Sequence, residues 1–148
     1  MDSLIIGPSR GIADAVAGAL RRRGLSVLRA IAADARDAES AQWLLDEAGG
    51  PSLIVVVESA PFAIAHELLA LTSAHVVLVA EQRAAAARPS ALPARSLLPR
   101  DEPGLTVVAL GRAGRRWFDL RGRHEPMGAE RAAAVVLRSC GAGEASFR

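Results

Sequence analysis

The stretch Leu4-Ile5-Ile6-Gly7-Pro8-Ser9-Arg10-Gly11-Ile12-Ala13 leaves this chain few ways to fold. An apolar run too short for a helix feeds a glycine turn. An apolar stripe at helical spacing then follows: Ile12, Val16 and Leu20, with Ala13 and Ala17 beside them. Arg21, Arg22 and Arg23 fall in the last helical turn, where the negative end of the helix dipole favours cations, and Gly24 supplies a left-handed C-cap. Strand, glycine turn, helix and glycine make the opening β–α unit of a parallel sheet. Such a turn sets backbone N–H groups and a helix N-terminus against an anion, above all a phosphate.

Each turn residue has a reason to be there. Gly7 lets the chain leave the strand at dihedrals that other residues resist, and Gly11 lets a phosphate approach the backbone. The third small position is Ala13, where only close packing of helix on strand is required. Pro8 removes one N–H from the cradle. Ser9 brings a hydroxyl, and Arg10 a fork suited to a phosphate, including a ribose 2′-phosphate.

The elements then alternate. A second strand is expected from Ser26 to about Ile31, then a helix capped by Asp37, running through Leu44, Leu45 and Ala48 and ended by Gly49-Gly50-Pro51. Leu53 to Val57 is a near-continuous β-branched run, as a central parallel strand covered on both faces requires. Pro61 opens a helix through Leu71, and Val76 to Ala80 is a fourth strand. Residues 84–104 carry Pro89, Pro93, Pro99 and Pro103, which break any long helix. Leu105 to Leu110 is a fifth strand; a turn at Gly111 to Gly114 leads into an extra edge strand, Arg115 to Leu120. Glu130 to Cys140 closes the chain as a helix with Ala133, Val136 and Leu137 inward. The expectation is a single Rossmann-like domain over residues 1–148: three layers, with a parallel sheet of about five strands flanked by helices.

Composition bounds the function. With 51% apolar residues among 148 the chain can build a core, and no apolar run reaches the ~18 residues of a membrane span. No charged-then-apolar leader precedes the first strand, so the expected place is the cytoplasm and no membrane is a partner. Net charge is only +2, which does not point to nucleic acid. The single cysteine, Cys140, excludes an internal disulfide, and no His/Asp/Glu grouping has metal-ligand spacing. There is no Lys, no Tyr and no Asn.

The turn closely resembles that of the short-chain dehydrogenase/reductase family, which reads Thr-Gly-x-x-x-Gly-Ile-Gly; Ile6 stands here for the Thr and Ala13 for the last Gly. Glu58-Ser59-Ala60-Pro61 stands where that family has Asn-Asn-Ala-Gly, and Asp34 to Asp37 looks like its acidic segment beside the adenine. One β–α unit before that segment is missing. The resemblance implies a dinucleotide, NADP or NAD, at Gly7, Ser9, Arg10, Gly11, Ile12, Asp34, Ser59 and Ala60, with NADP favoured through Arg10 and secondarily Arg29. It also implies a homodimer, or a heteromer with a related reductase. The family's chemistry needs a serine at the end of the next strand and then Tyr-x-x-x-Lys. That strand ends here in Ala80-Glu81-Gln82-Arg83, and with neither Tyr nor Lys in the chain the ordinary ketoreductase mechanism is excluded.

Residues just after the strands carry whatever chemistry remains. Glu58 and Glu81, on adjacent strands, are candidates for a carboxylate pair with separated pKa values; the bland reading is two solvated strand-end acids. His66, one turn into a helix, is a candidate base or an ordinary surface histidine. Arg112, Arg115, Arg116, Arg121, Arg123 and His124, with Trp117 and Phe118 among them, form the concentrated basic patch, either an anion clamp or a charged sheet edge. The helix from Pro61 to Leu71 is apolar nearly all round, so its outer side must meet another chain or residues 84–104. Three classes follow: a divergent NAD(P)-binding oxidoreductase; a pseudoenzyme paired with an active relative or with itself; and a cyclase, isomerase or dehydratase reusing the cleft. Loss of the catalytic set favours the last two, and retention of the glycine turn the first two.

Overall fold

The computed structural model describes residues 2–8, 10–59, 62–83, 100–120 and 126–139. Strands β1 (Ser3–Ile6), β2 (Val27–Ala30), β3 (Leu53–Glu58), β4 (His75–Arg83) and β5 (Leu105–Ala113) run parallel in the order β2-β1-β3-β4-β5. Strand β6 (Arg116–Asp119) closes the sheet antiparallel to β5. Among the described residues four helices flank the sheet: α1 (Ile12–Arg22), α2 (Ala38–Glu47), α3 (Ala63–Leu71) and α4 (Ala129–Ser139), with a 3-10 turn at Ala32–Ala35 before α2. The expected three-layer Rossmann-like α/β architecture is present. Its strand order is what a Rossmann sheet leaves when the third strand is removed, and it is equally the other common doubly wound order.

Pleat alternation divides the core in two. Ile5, Val55, Val57, Val77, Val79, Val108 and Leu110 pack under α1 and α4. Leu4, Ile6, Ile54, Val56, Val76, Leu78 and Val107 pack under α2 and α3. Burial on both faces explains the β-branched run of β3, and each fully buried Val, Ile or Leu contributes about 1.5–3 kcal/mol. Gly7 makes the close approach possible: a Cβ there would lie 3.0 Å from the Val57 Cβ and 3.1 Å from the Ala13 Cβ.

Boundaries differ from expectation where contacts outside the local pattern decide them. Pro61 lies outside the described residues, and α3 starts at Ala63 with Phe62 as N-cap in the left-handed region at φ 60°. The buried Phe62 ring and a carboxylate cap from Glu58 hold that conformation. Strand β5 runs through Gly111, where a turn was expected, because β4 pairs with it on one side and β6 on the other. The reversal is confined to Gly114 and Arg115. The outer side of α3 is met in part by the chain itself: Leu69 approaches Gly104, and His66 lies 3.7 Å from Glu102. Residues 84–99, Cys140 and the end of the basic patch, Arg121, Arg123 and His124, lie outside the described residues. Among the described residues no helix is long and apolar enough to cross a membrane.

Two aspartates fasten elements at their ends. Asp37 accepts the Ser40 N–H at 2.8 Å and caps α2 as expected, and that bond holds its carboxyl below the usual aspartate range. Asp2 accepts from the Ser26 N–H at 2.9 Å and from the Ser26 hydroxyl at 3.0 Å, tying β1 to the start of β2 and lowering its pKa likewise. A carboxyl whose folded pKa is depressed stabilises fully above the unfolded value near 3.8 and loses that contribution as pH falls through the folded value. We therefore expect urea-unfolding stability to drop below about pH 4. The double variant Asp2→Asn, Asp37→Asn should flatten this acid limb.

Candidate functional site

The chain leaves β1 toward β2 over one face of the sheet and returns from β2 to β3 over the other. The carboxyl ends of β1 and β3 therefore part into a crevice, the place where doubly wound sheets take ligands. Among the described residues two cavities are lined there. The larger, about 490 Å³, is lined by Pro8, Ile31, Ala32, Ala33, Val57, Glu58, Ser59, Ile64 and Glu81. The smaller, about 290 Å³, is lined by Pro8, Arg10, Ile12, Val57, Glu81, Arg112 and Trp117. Pro8, Val57 and Glu81 border both, so the two cavities adjoin across the end of the sheet.

The turn between them is braced from beneath by Arg29 of β2. Its guanidinium donates to the carbonyls of Ile5 at 3.0 Å, Ala30 at 3.1 Å and Pro8 at 2.9 Å, and to the Asp14 carboxylate at 2.9 Å. The Arg29 side chain is 18% exposed. It therefore shapes the turn, which leaves it poorly placed to read a ribose phosphate. Among the described residues no side chain caps the N-terminus of α1, in contrast to α2, which Asp37 caps, and α3, which the Glu58 carboxylate caps. The first-turn N–H groups of α1 are thus the ones left to an external acceptor.

Gly11 caps α1 at φ 79°, and the space its missing Cβ would fill lies 3.3 Å from Cζ2 of Trp117. Both turn glycines therefore have internal reasons to be glycine: Gly7 for packing on Val57 and Ala13, Gly11 for its dihedral and for the indole. Trp117 arrives because β6 folds back beside β5, putting it opposite Arg112, whose Cζ sits 5.1 Å above the ring centroid. Trp117 is 6% exposed, and its Nε1 is buried without a hydrogen-bond partner.

The other candidates fall as follows. Glu58 borders the larger cavity, but its carboxylate is engaged as a helix cap, accepting the N–H groups of Ile64 at 2.8 Å and Ala65 at 3.3 Å. Glu81 lines both cavities. Register pairs Glu58 with Ala80, so pleat alternation sends Glu58 and Glu81 toward opposite faces although both reach the larger cavity. The Nδ1 of His66 lies 3.1 Å from the Phe62 carbonyl oxygen one turn back, and His66 borders neither cavity. The Asp34 carboxylate accepts the Ile31 N–H at 3.0 Å, closing the 3-10 turn beside the larger cavity. Ser59 borders the larger cavity, and Arg10 and Ile12 border the smaller. Ser9 and Ala60 lie outside the described residues.

Fold and crevice together define a doubly wound, Rossmann-like α/β protein with two adjoining cavities at the carboxyl edge of its sheet. Comparison with known protein families, with curated proteins and with solved structures found no match.

Replacing Arg29 with Ala should cost about 2 kcal/mol in urea unfolding, because a partly buried charged donor leaves several acceptors behind. Lysine at position 29 should recover little of it, since one ammonium cannot reproduce the planar fork.

Proposed function

We propose that the chain is a nucleotide-binding protein of the short-chain dehydrogenase/reductase type that works without the ordinary ketoreductase mechanism, as a pseudoenzyme or as the partner subunit of a reductase. The observation that carries the reading is the pair of adjoining cavities flanking the uncapped N-terminus of α1. A dinucleotide would lay its adenosine against Ile31, Ala32 and Ala33 and its pyrophosphate at the first turn of α1. Its nicotinamide end would lie toward Glu81 and Trp117. Trp117 beside Gly11 limits how deeply a phosphate can settle, and Pro8 subtracts a donor. When bound, such a cofactor supplies hydride chemistry; what this chain contributes is binding and orientation, because the Tyr and Lys that would drive that chemistry are absent from its sequence.

A preference for NADP needs Arg10, and secondarily Arg29, at the ribose phosphate. Arg29 is engaged beneath the turn, and Arg10 borders the cavity away from the end of β2, so the proposal names the dinucleotide without ranking its two forms. The partner reading rests on α3, where Ala63, His66 and Ala70 remain exposed beside half-buried Ile64, Leu69 and Leu71.

Millimolar NAD(H) or NADP(H) should raise the melting temperature, since a ligand that binds only the folded state stabilises it in proportion to RT ln(1 + [L]/Kd). FMN belongs in the same panel, because this strand order also carries mononucleotides at its switch point. The absence of any shift would remove the nucleotide reading. Ketone reduction should be absent, and robust turnover surviving replacement of Glu58, Glu81 and His66 would contradict the pseudoenzyme reading. Light scattering should find the chain as a dimer, or as a monomer that a related reductase captures; a monomer with no such partner would leave the subunit reading without support.

A further inference from the structure

The smaller cavity has a chemistry of its own. Arg10 and Arg112 border it from opposite elements, the α1 turn and β5. Arg10 has no ion pair or hydrogen bond among the described residues, and Arg112 spends only its Nε, on the Gly114 carbonyl at 3.1 Å. The Arg112 guanidinium carbon lies over the Trp117 ring, whose buried Nε1 lacks an acceptor. Among the described residues of the wall the charged ones are Arg10, Arg112 and Glu81, two guanidinium groups and one carboxylate. A volume of about 290 Å³ is at the small end of ligand pockets.

We infer that this cavity takes a compact oxyanion, a carboxylate or a phosphate group of a second ligand, held between Arg10 and Arg112 beside the indole of Trp117. Planar forks match such anions with paired hydrogen bonds, and the aromatic ring beneath Arg112 keeps that fork in place. The site goes beyond the nucleotide reading and does not require it. It would place an anionic co-ligand next to Glu81, on the side of the crevice away from Ile31 and Ala33.

The test uses the full chain carrying Trp43→Phe. Trp43 is 63% exposed on α2, so this change should leave the fold intact and makes Trp117 the sole indole. Malonate, and separately inorganic phosphate, are titrated at constant ionic strength while the Trp117 Nε1–H resonance is followed by nitrogen-15 NMR. We expect a saturable shift with at least one anion. Arg10→Gln and Arg112→Gln should each weaken binding about tenfold or more, as loss of a charge-assisted bond implies. Glu81→Gln should tighten it severalfold, and Arg23→Gln, at the far end of α1, should leave it unchanged. No saturable shift with either anion, or a shift indifferent to both arginine replacements, overturns the inference. Saturation with the anion and NADPH bound together supports a separate co-ligand. Displacement of the anion by NADPH would mean that the arginines serve the nucleotide's own phosphates, and the inference falls. Anion binding without any dinucleotide binding would sink the nucleotide proposal and leave this one standing.

Discussion

The guanidinium of Arg29 is the contact on which the carboxyl edge depends. Strand ends and tight turns leave carbonyls with no partner in the sheet, and burying them unpaired is costly. Here a single side chain from β2 collects carbonyls of Ile5, Ala30 and Pro8 and is neutralised by Asp14 on α1. One residue thereby fixes the exit of β1, the end of β2 and the first turn of α1 relative to one another. The positions of Pro8, Arg10 and Gly11, and with them both cavities, follow from that brace.

The two turn glycines illustrate how a sequence signature can be accounted for twice. A glycine pair between strand and helix reads as room for a phosphate, but each glycine here also answers to a neighbour in the core. Gly7 makes way for Val57 and Ala13, and Gly11 lies under Trp117. Packing alone does not explain why no described side chain caps α1 when α2 and α3 each have such a cap. The uncapped end, more than the glycines, keeps an anion in the account.

Local patterns made much of the fold legible. The apolar run of β3, the stripe of α1 and the Asp37 cap each depend on residues a few positions apart, and each appears where the sequence puts it. What escaped depended on partners that no short pattern announces. The cap of α3 comes from Glu58 at the end of the preceding strand, with Phe62 left-handed between them, and not from a residue at a capping position. Gly111 reads as a turn until β4 and β6 both pair with the strand that contains it. At the site, the residues after the strands were legible as a set, but their duties were not. Glu58 was readable as a free acid and serves as a cap, while Arg29 was readable as a phosphate reader and serves as a brace. Trp117 as a cavity wall required knowing that β6 folds back with Arg112 opposite it.

The antiparallel β6 also bears on how molecules of this protein meet. An edge strand offers alternate backbone groups outward, a template on which another chain can add. In β6 the outward N–H and C=O of Trp117 are both taken by Met127, at 2.9 and 2.8 Å. Any strand added there must first displace that bridge, which the segment leading into α4 supplies. The same tryptophan that walls the crevice thus blunts the rim of the sheet, and self-association by strand addition along β6 is discouraged at the level of the backbone.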